Sequence, residues 1–327
     1  MSAPADFSVA QNKMSRNTLA HLLMLAMTLV WGTMFVIVKE ALIYIPPQWL
    51  NSLRMILGFL CLAIFYSRHL RRISKAAWLI GAAAGAAMAC GFFFQTEGLL
   101  YTTATNSAFI TAMVVVIVPF LASMPGLRSP DRGLPPWTAW AGAILAFSGV
   151  ALLTTPAHTP WLQLLHNLNR GDLLTLLCSF GFSLQIIALD RGAKWVGFEQ
   201  LTPLQVGFAM VFLTAGAGLY EPHMFTHLHL LAELLTKPAV FIAIAATGIL
   251  ATALAFSIQT WAQGIIPATN IAVIVTLEPV FAWMTAFVVL HEGLQLRRAM
   301  GATFVLLGIL ASELLPRGLR SKENSAG

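Results

Sequence analysis

QTEGLLYTTATN at residues 95–106 and QTWAQGIIPATN at residues 259–270 are the stretches on which the reading of this chain turns. Both open on Gln-Thr, and both reach Ala-Thr-Asn seven residues later, at a constant offset of 164. Five identical residues at matched spacing signal an internal duplication. Fainter echoes extend it. Gly142-Ala143 with Gly149 corresponds to Gly301-Ala302 with Gly308, and His21-Leu22-Leu23 opens one apolar run much as Asp172-Leu173-Leu174 opens another.

The duplicated material is apolar. Of 327 residues, 58% are hydrophobic and 10% charged, and the mean hydropathy is +0.77. A soluble domain carries about 25% charged residues, so most of these side chains must face lipid or one another. A bilayer core of about 30 Å needs about 20 apolar residues of helix. Ten stretches qualify, at 19–38, 48–66, 76–97, 102–123, 136–155, 171–190, 201–220, 238–261, 268–290 and 298–315. The expected fold is an all-α integral membrane protein of about ten transmembrane helices. Its repeats fall at 19–155 and 171–315, five helices each. Five is odd, so the second copy enters the membrane from the opposite side and the repeats are inverted. In transporters built this way the solute site lies near the midplane, between the repeats.

Charge placement gives an orientation. With the N-terminus in the cytoplasm, thirteen Lys and Arg residues fall on cytoplasmic segments and five on outer ones, while Arg54 lies inside a helix. This bias places both termini inside. The net charge of +6 is spread along the chain, which argues against nucleic acid as a partner. The first apolar run is longer than a signal-peptide core and reads as a retained helix. Cys61, Cys90 and Cys178 sit in apolar segments with no CxxC, so neither a disulfide framework nor a metal site is expected. No cofactor or phosphate-binding loop is present, which disfavours ATP-driven transport. HExxH, GxSxG and paired intramembrane aspartates are all missing, which disfavours an intramembrane enzyme.

Several short motifs then fall into order. Trp31-Gly32-Thr33-x-Phe35 with Lys39, Pro46-Pro47 with Arg54, Gly98-Leu99-x-Tyr101-Thr102-x-Ala104 with Asn106, Gly171-Asp172-Leu173, and Leu277-Glu278-Pro279-Val280 with Glu292 run across nearly the whole chain. In this the chain resembles the EamA-type exporters of the drug/metabolite transporter superfamily. The resemblance implies a ten-helix carrier of the bacterial inner membrane that moves amino acids, other metabolites or drugs. There are departures. Val115 is the repeat partner of Pro279, with Pro119 one turn later, the 124–136 loop lacks a Gly-Glu, and His291 precedes Glu292.

Candidate substrate-binding residues are the ionisable and amide groups within the spans, with one aromatic. Glu278 lies about ten residues into its helix, about 15 Å deep at 1.5 Å per residue. A carboxylate there faces a cavity or a partner, and suits a cationic group or a coupling proton. Arg54 suits an anionic group, a carboxylate such as Glu97, or snorkelling to the headgroups. Gln95, Asn106, Gln185, Gln259 and Asn270 suit a polar solute or interhelical hydrogen bonds, and the two asparagines also suit helix caps. Trp31 offers a flat wall. Pro279 and Gly32 are the gating or kink candidates. Pro279 deprives the Val275 carbonyl of its helical partner, and Gly32 allows close backbone approach. Gly81, Gly85 and Gly91 read as helix contacts. His223 and His227, at i,i+4 with His229 nearby, belong to a surface segment rather than a metal site.

The function expected is carrier-mediated transport of a small solute across the bilayer by alternating access, in the export direction. Flipping of a lipid or lipid-linked sugar is the alternative.

Overall fold

In the computed structural model the described residues are 7–130, 132–154, 169–222, 226, 228–290 and 296–323. His223, His227, His291 and Glu292 lie outside them.

The described residues are mainly helical and make ten spans in chain order. Span 1 is Phe7–Ala41, span 2 Pro47–Phe65 and span 3 Lys75–Tyr101. Span 4 comes in two segments, Ala104–Thr111 and Val114–Ser123, and span 5 is Trp137–Thr154. Span 6 is Arg170–Asp190 and span 7 Phe198–Tyr220. Span 8 runs through Pro238–Ala245, Ala246–Leu254 and Ala255–Gln263, the middle segment being π-helical. Span 9 is broken into Ala268–Val275 and Glu278–Leu290, and span 10 is Leu296–Glu323. Eight spans are long and apolar enough to cross a membrane, and spans 5 and 10 contribute the shorter apolar stretches Trp137–Leu152 and Ala299–Ser312.

Local chemistry sets the boundaries. Ser74 caps span 3 by accepting from the Ala77 N–H at 3.1 Å, and Thr103 caps span 4 by accepting from the Asn106 N–H at 3.1 Å. Asn169 and Asp172 form a capping box that opens span 6. Pro47 and Pro238 take the first turn of their helices, where the lost N–H costs nothing. Neither Asn106 nor Asn270 caps a helix, contrary to expectation. The caps of those two segments are Thr103 and Pro267.

The break at Pro279 is present, and so is a counterpart that the sequence did not announce. Span 9 is interrupted at Thr276–Leu277 and span 4 at Ala112–Met113, positions related by the same offset of 164. Three-residue bonds replace four-residue ones at both places. Thr276 N–H donates to the Val273 carbonyl and Leu277 to Ile274, while Met113 donates to Ile110 and Val115 to Ala112. Proline is therefore not what locates the first-half break, since Val115 stands at the matching position.

Glycines set the helix crossings. A methyl group placed on Gly142 would lie 2.7 Å from the Gly308 carbonyl oxygen, and one on Gly149 would lie 2.6 Å from that of Gly301. Spans 5 and 10 thus meet backbone to backbone. Span 1 meets span 9 at Gly32, where a methyl group would approach the Glu278 carbonyl to 2.7 Å. Gly81 and Gly85 abut Leu204, Gln205 and Phe208 of span 7, and Gly91 abuts Phe182 of span 6. Between spans 7 and 8, a short helix at Leu228–Leu235 packs Leu230, Leu231 and Leu234 against the apolar cluster that includes Trp49, Leu50 and Val240.

Candidate functional site

Spans 1, 2, 3, 4, 6, 8 and 9 enclose a central cavity of about 80 Å³. Its walls are largely apolar, with a run of aromatic rings along one part. Trp31 and Phe256 have ring centroids 5.4 Å apart, Phe256 and Phe92 6.0 Å, and Phe92 and Phe182 4.9 Å. Trp31 is held from behind, because its indole Nε1 donates to the Ala251 carbonyl at 2.9 Å. Ala251 lies in the π-helical segment of span 8, a geometry that recurs at functional sites.

Two ionisable side chains line this cavity. Arg54 is 5% exposed and Glu278 8%. The Arg54 guanidinium carbon stands 4.0 Å above the centre of the Phe92 ring, a cation–π contact, and its buried Nε meets no acceptor. Among the described residues, no side-chain hydrogen bond or ion pair joins Arg54 or Glu278 to the protein. Two alternatives for Arg54 therefore fall. It is too buried to snorkel, and Glu97 instead accepts from Gln48 Nε2 at 2.9 Å. Glu278 opens the second segment of span 9, where the amide ends of the helix favour a carboxylate.

The amides divide. Gln95, Gln185 and Gln259 line the cavity. Gln95 Nε2 lies 3.4 Å from Thr111 Oγ1. Gln185 Nε2 donates to Gln205 Oε1 at 2.9 Å, and Gln205 Nε2 donates to Thr260 Oγ1 at 2.8 Å. Gln185 and Gln259 also face each other at 3.4–3.5 Å. Asn106 and Asn270 are not part of this site. Asn106 is exposed near the start of span 4, and Asn270 borders a separate cavity of about 770 Å³ at the opposite end of the bundle. Both stand two residues into their helical segments, a full turn or more short of the cavity. Gly32 stands at a helix crossing and Pro279 just after a break in span 9.

Phe92, Phe182, Phe256 and Gln205 went unnoticed in the sequence, although the repeat pointed to them. An offset of 151 carries Trp31 to Phe182 and Arg54 to Gln205, and the offset of 164 carries Phe92 to Phe256 and Gln95 to Gln259. The cavity is thus two-fold at Trp31 and Phe182, at Phe92 and Phe256 and at Gln95 and Gln259, but not at Phe35 and Ile186, at Met34 and Gln185, or in its charges. Gln205 stands opposite Arg54, and Val114 opposite Glu278.

Residues 18–155 and 169–313 each match the model of the EamA-like transporter family. The chain belongs to this family. Among the EamA relatives are two Archaeoglobus fulgidus proteins, each named an uncharacterized transporter. One is 29% identical over 88% of this chain and 83% of its own length, and the other 25% identical over 90% and 96%. A solved crystal structure, 19% identical, covers 92% of this EamA chain and 99% of its own with a TM-score of 0.64. At that identity the likeness concerns the fold alone. The fold class read from the sequence, all-α with inverted five-helix repeats, agrees with these matches, and the protein is a membrane transporter of the EamA type.

Proposed function

We propose that this protein is a secondary carrier that exports a small zwitterionic metabolite, an amino acid or a solute of similar size and polarity, by alternating access. The observation that carries the reading is the pair of buried charges of opposite sign, Arg54 and Glu278, lining one cavity with no side-chain hydrogen bond or ion pair among the described residues. Unpaired buried charges are costly. A solute bringing a carboxylate to Arg54 and an ammonium to Glu278 offsets both costs at once. The aromatic walls take its side chain, and Gln95, Gln185 and Gln259 hydrogen-bond what remains polar. A coupling proton on Glu278 is the second occupant that the same carboxylate suits. Rocking of the two repeats, at similar energies because they are near-equivalent, exposes the cavity to each side in turn. The charge bias supports an orientation with both termini cytoplasmic, and the family resemblance supports the cell inner membrane.

The test compares metabolites released by cells overexpressing the wild type with those released by cells expressing Glu278→Ala at equal membrane levels. An amino acid or related zwitterion enriched outside only with the wild type is the expected result. Equal release across all small solutes, together with no uptake of labelled amino acids by proteoliposomes, would refute the reading and favour lipid flipping.

A further inference from the structure

The ends of spans 3 and 8 are closed in two different ways, and the repeat makes the difference legible. A helix leaves its last carbonyls without partners. At the end of span 3, Lys39 from span 1 supplies the donor, with its Nζ bonding the carbonyls of Leu99 and Thr102, the latter at 3.0 Å. The offset of 164 carries those two carbonyls to Gln263 and Ile266, at the end of span 8. The offset of 151 carries Lys39 to Asp190, the last residue of span 6. An aspartate cannot cap a carbonyl, and at a helix C-terminus it also opposes the dipole.

A cation is nevertheless present. Arg132, from the connection between spans 4 and 5, places its Nη2 3.2 Å from the Gln263 carbonyl and 3.3 Å from that of Ile266. Its Nε lies 3.0 Å from Asp190 Oδ1, an ion pair whose N–H is not aligned on the oxygen. The same Asp190 oxygen accepts from the Ala268 N–H at 3.1 Å, and Ser129 Oγ donates to the Asp190 carbonyl at 3.2 Å. The same pair of carbonyls is therefore capped in both halves. The Lys39 cap comes from its own half, whereas the Arg132 cap reaches across from the other half.

We infer that Arg132, held by Asp190, is a cross-repeat latch that keeps the cytoplasmic end of the bundle closed, and that Lys39 is its permanent, non-switching counterpart at the outer end. The inference rests on the alternating-access reading. When the repeats rock, Lys39 travels with the carbonyls it caps and its bonds persist. Arg132 and its acceptors belong to different repeats, so opening the cytoplasmic end breaks their bonds. A cap that must be broken sets the open–closed equilibrium at its end, and one that need not be broken sets only stability.

The test uses the full chain with Cys61, Cys90 and Cys178 replaced by serine and a single reporter, Ile186→Cys, at the cavity wall. Labelling by a membrane-impermeant maleimide is read from each side in oriented vesicles. Arg132→Ala is expected to raise cytoplasmic labelling at least about tenfold, two charge-assisted bonds being lost from the closed form only. Lys39→Ala is expected to lower the melting temperature without changing the sidedness. Adding Asp190→Lys to Arg132→Ala rebuilds an own-repeat cap, so thermal stability should return while cytoplasmic labelling stays high. If that second change restores low labelling, Arg132 is a helix cap and nothing more, and the latch is refuted. Unchanged labelling with Arg132→Ala refutes it as well. Should Arg132→Ala not fold, Arg132→Gln, which keeps one donor without the charge, is read in the same way. Equal labelling of the reporter from both sides before any latch residue is changed would instead sink alternating access.

Discussion

Replacing Arg54 by methionine separates a binding arginine from a structural one. The guanidinium is buried with an Nε that no acceptor meets, and its compensation inside the protein is the Phe92 ring at 4.0 Å. Burying an unpaired charge costs several kcal/mol, of which a desolvated cation–π contact returns about 2 kcal/mol. Methionine keeps the apolar stem and the contact with the ring without the charge, so folding stability is expected to stay the same or rise. Binding should change far more. A hydrogen bond from a charged donor contributes about 1.5–3 kcal/mol, which corresponds to about 10- to 150-fold in affinity for a carboxylate-bearing solute. Purified wild type and Arg54→Met would be compared by thermal melting, and by counterflow of labelled amino acids in proteoliposomes. A stable variant with counterflow lost is the expected outcome. A melting temperature that collapses while the remaining folded protein still exchanges solute at the wild-type rate would refute the reasoning and make Arg54 a structural residue.

Further outcomes follow from the geometry. Gly142→Leu drives a side chain into the Gly308 carbonyl, which a methyl group would already approach to 2.7 Å. Overpacking of this kind costs about 1–3 kcal/mol, so a lower melting temperature is expected in detergent, and an unchanged one would mean that spans 5 and 10 do not meet there. Gln205→Leu removes two interhelical bonds, at about 0.6 kcal/mol each on average. It should lower stability by about 1 kcal/mol while loosening Gln185, seen as a raised KM for the transported solute at an unaltered expression level.

The repeat made the spans, their inversion and the break at Pro279 readable from the sequence, because apolar length and a missing N–H act locally. Glu278, Arg54 and the three cavity glutamines were also readable, because a polar group deep in an apolar run has few places to go. Asn106 and Asn270 carry the same chemistry but sit too near their helix starts to reach the cavity, and depth along a helix is the measure that separates them from Gln95 and Gln259. The aromatic wall was hidden for the opposite reason. In a chain with 21 phenylalanines, Phe92, Phe182 and Phe256 stand out only once the repeat offset is carried through every candidate. The break at Ala112–Met113 had no proline to announce it, and the inheritance of backbone shape between repeats outlasted the residue that explains it in span 9.

The seam between spans 5 and 10 has a consequence for the history of the chain. Gly142 corresponds to Gly301 and Gly149 to Gly308, and the contacts run from Gly142 to Gly308 and from Gly149 to Gly301. Each contact is the image of the other, which is the isologous pattern of a two-fold homodimer. Such a surface is complementary to itself and needs no covalent link to form. A single five-helix polypeptide inserted in both orientations would already have carried both sides of this joint, so fusion of the two copies had only to fix their stoichiometry, after which Arg54 and Glu278 were free to become different from their partners.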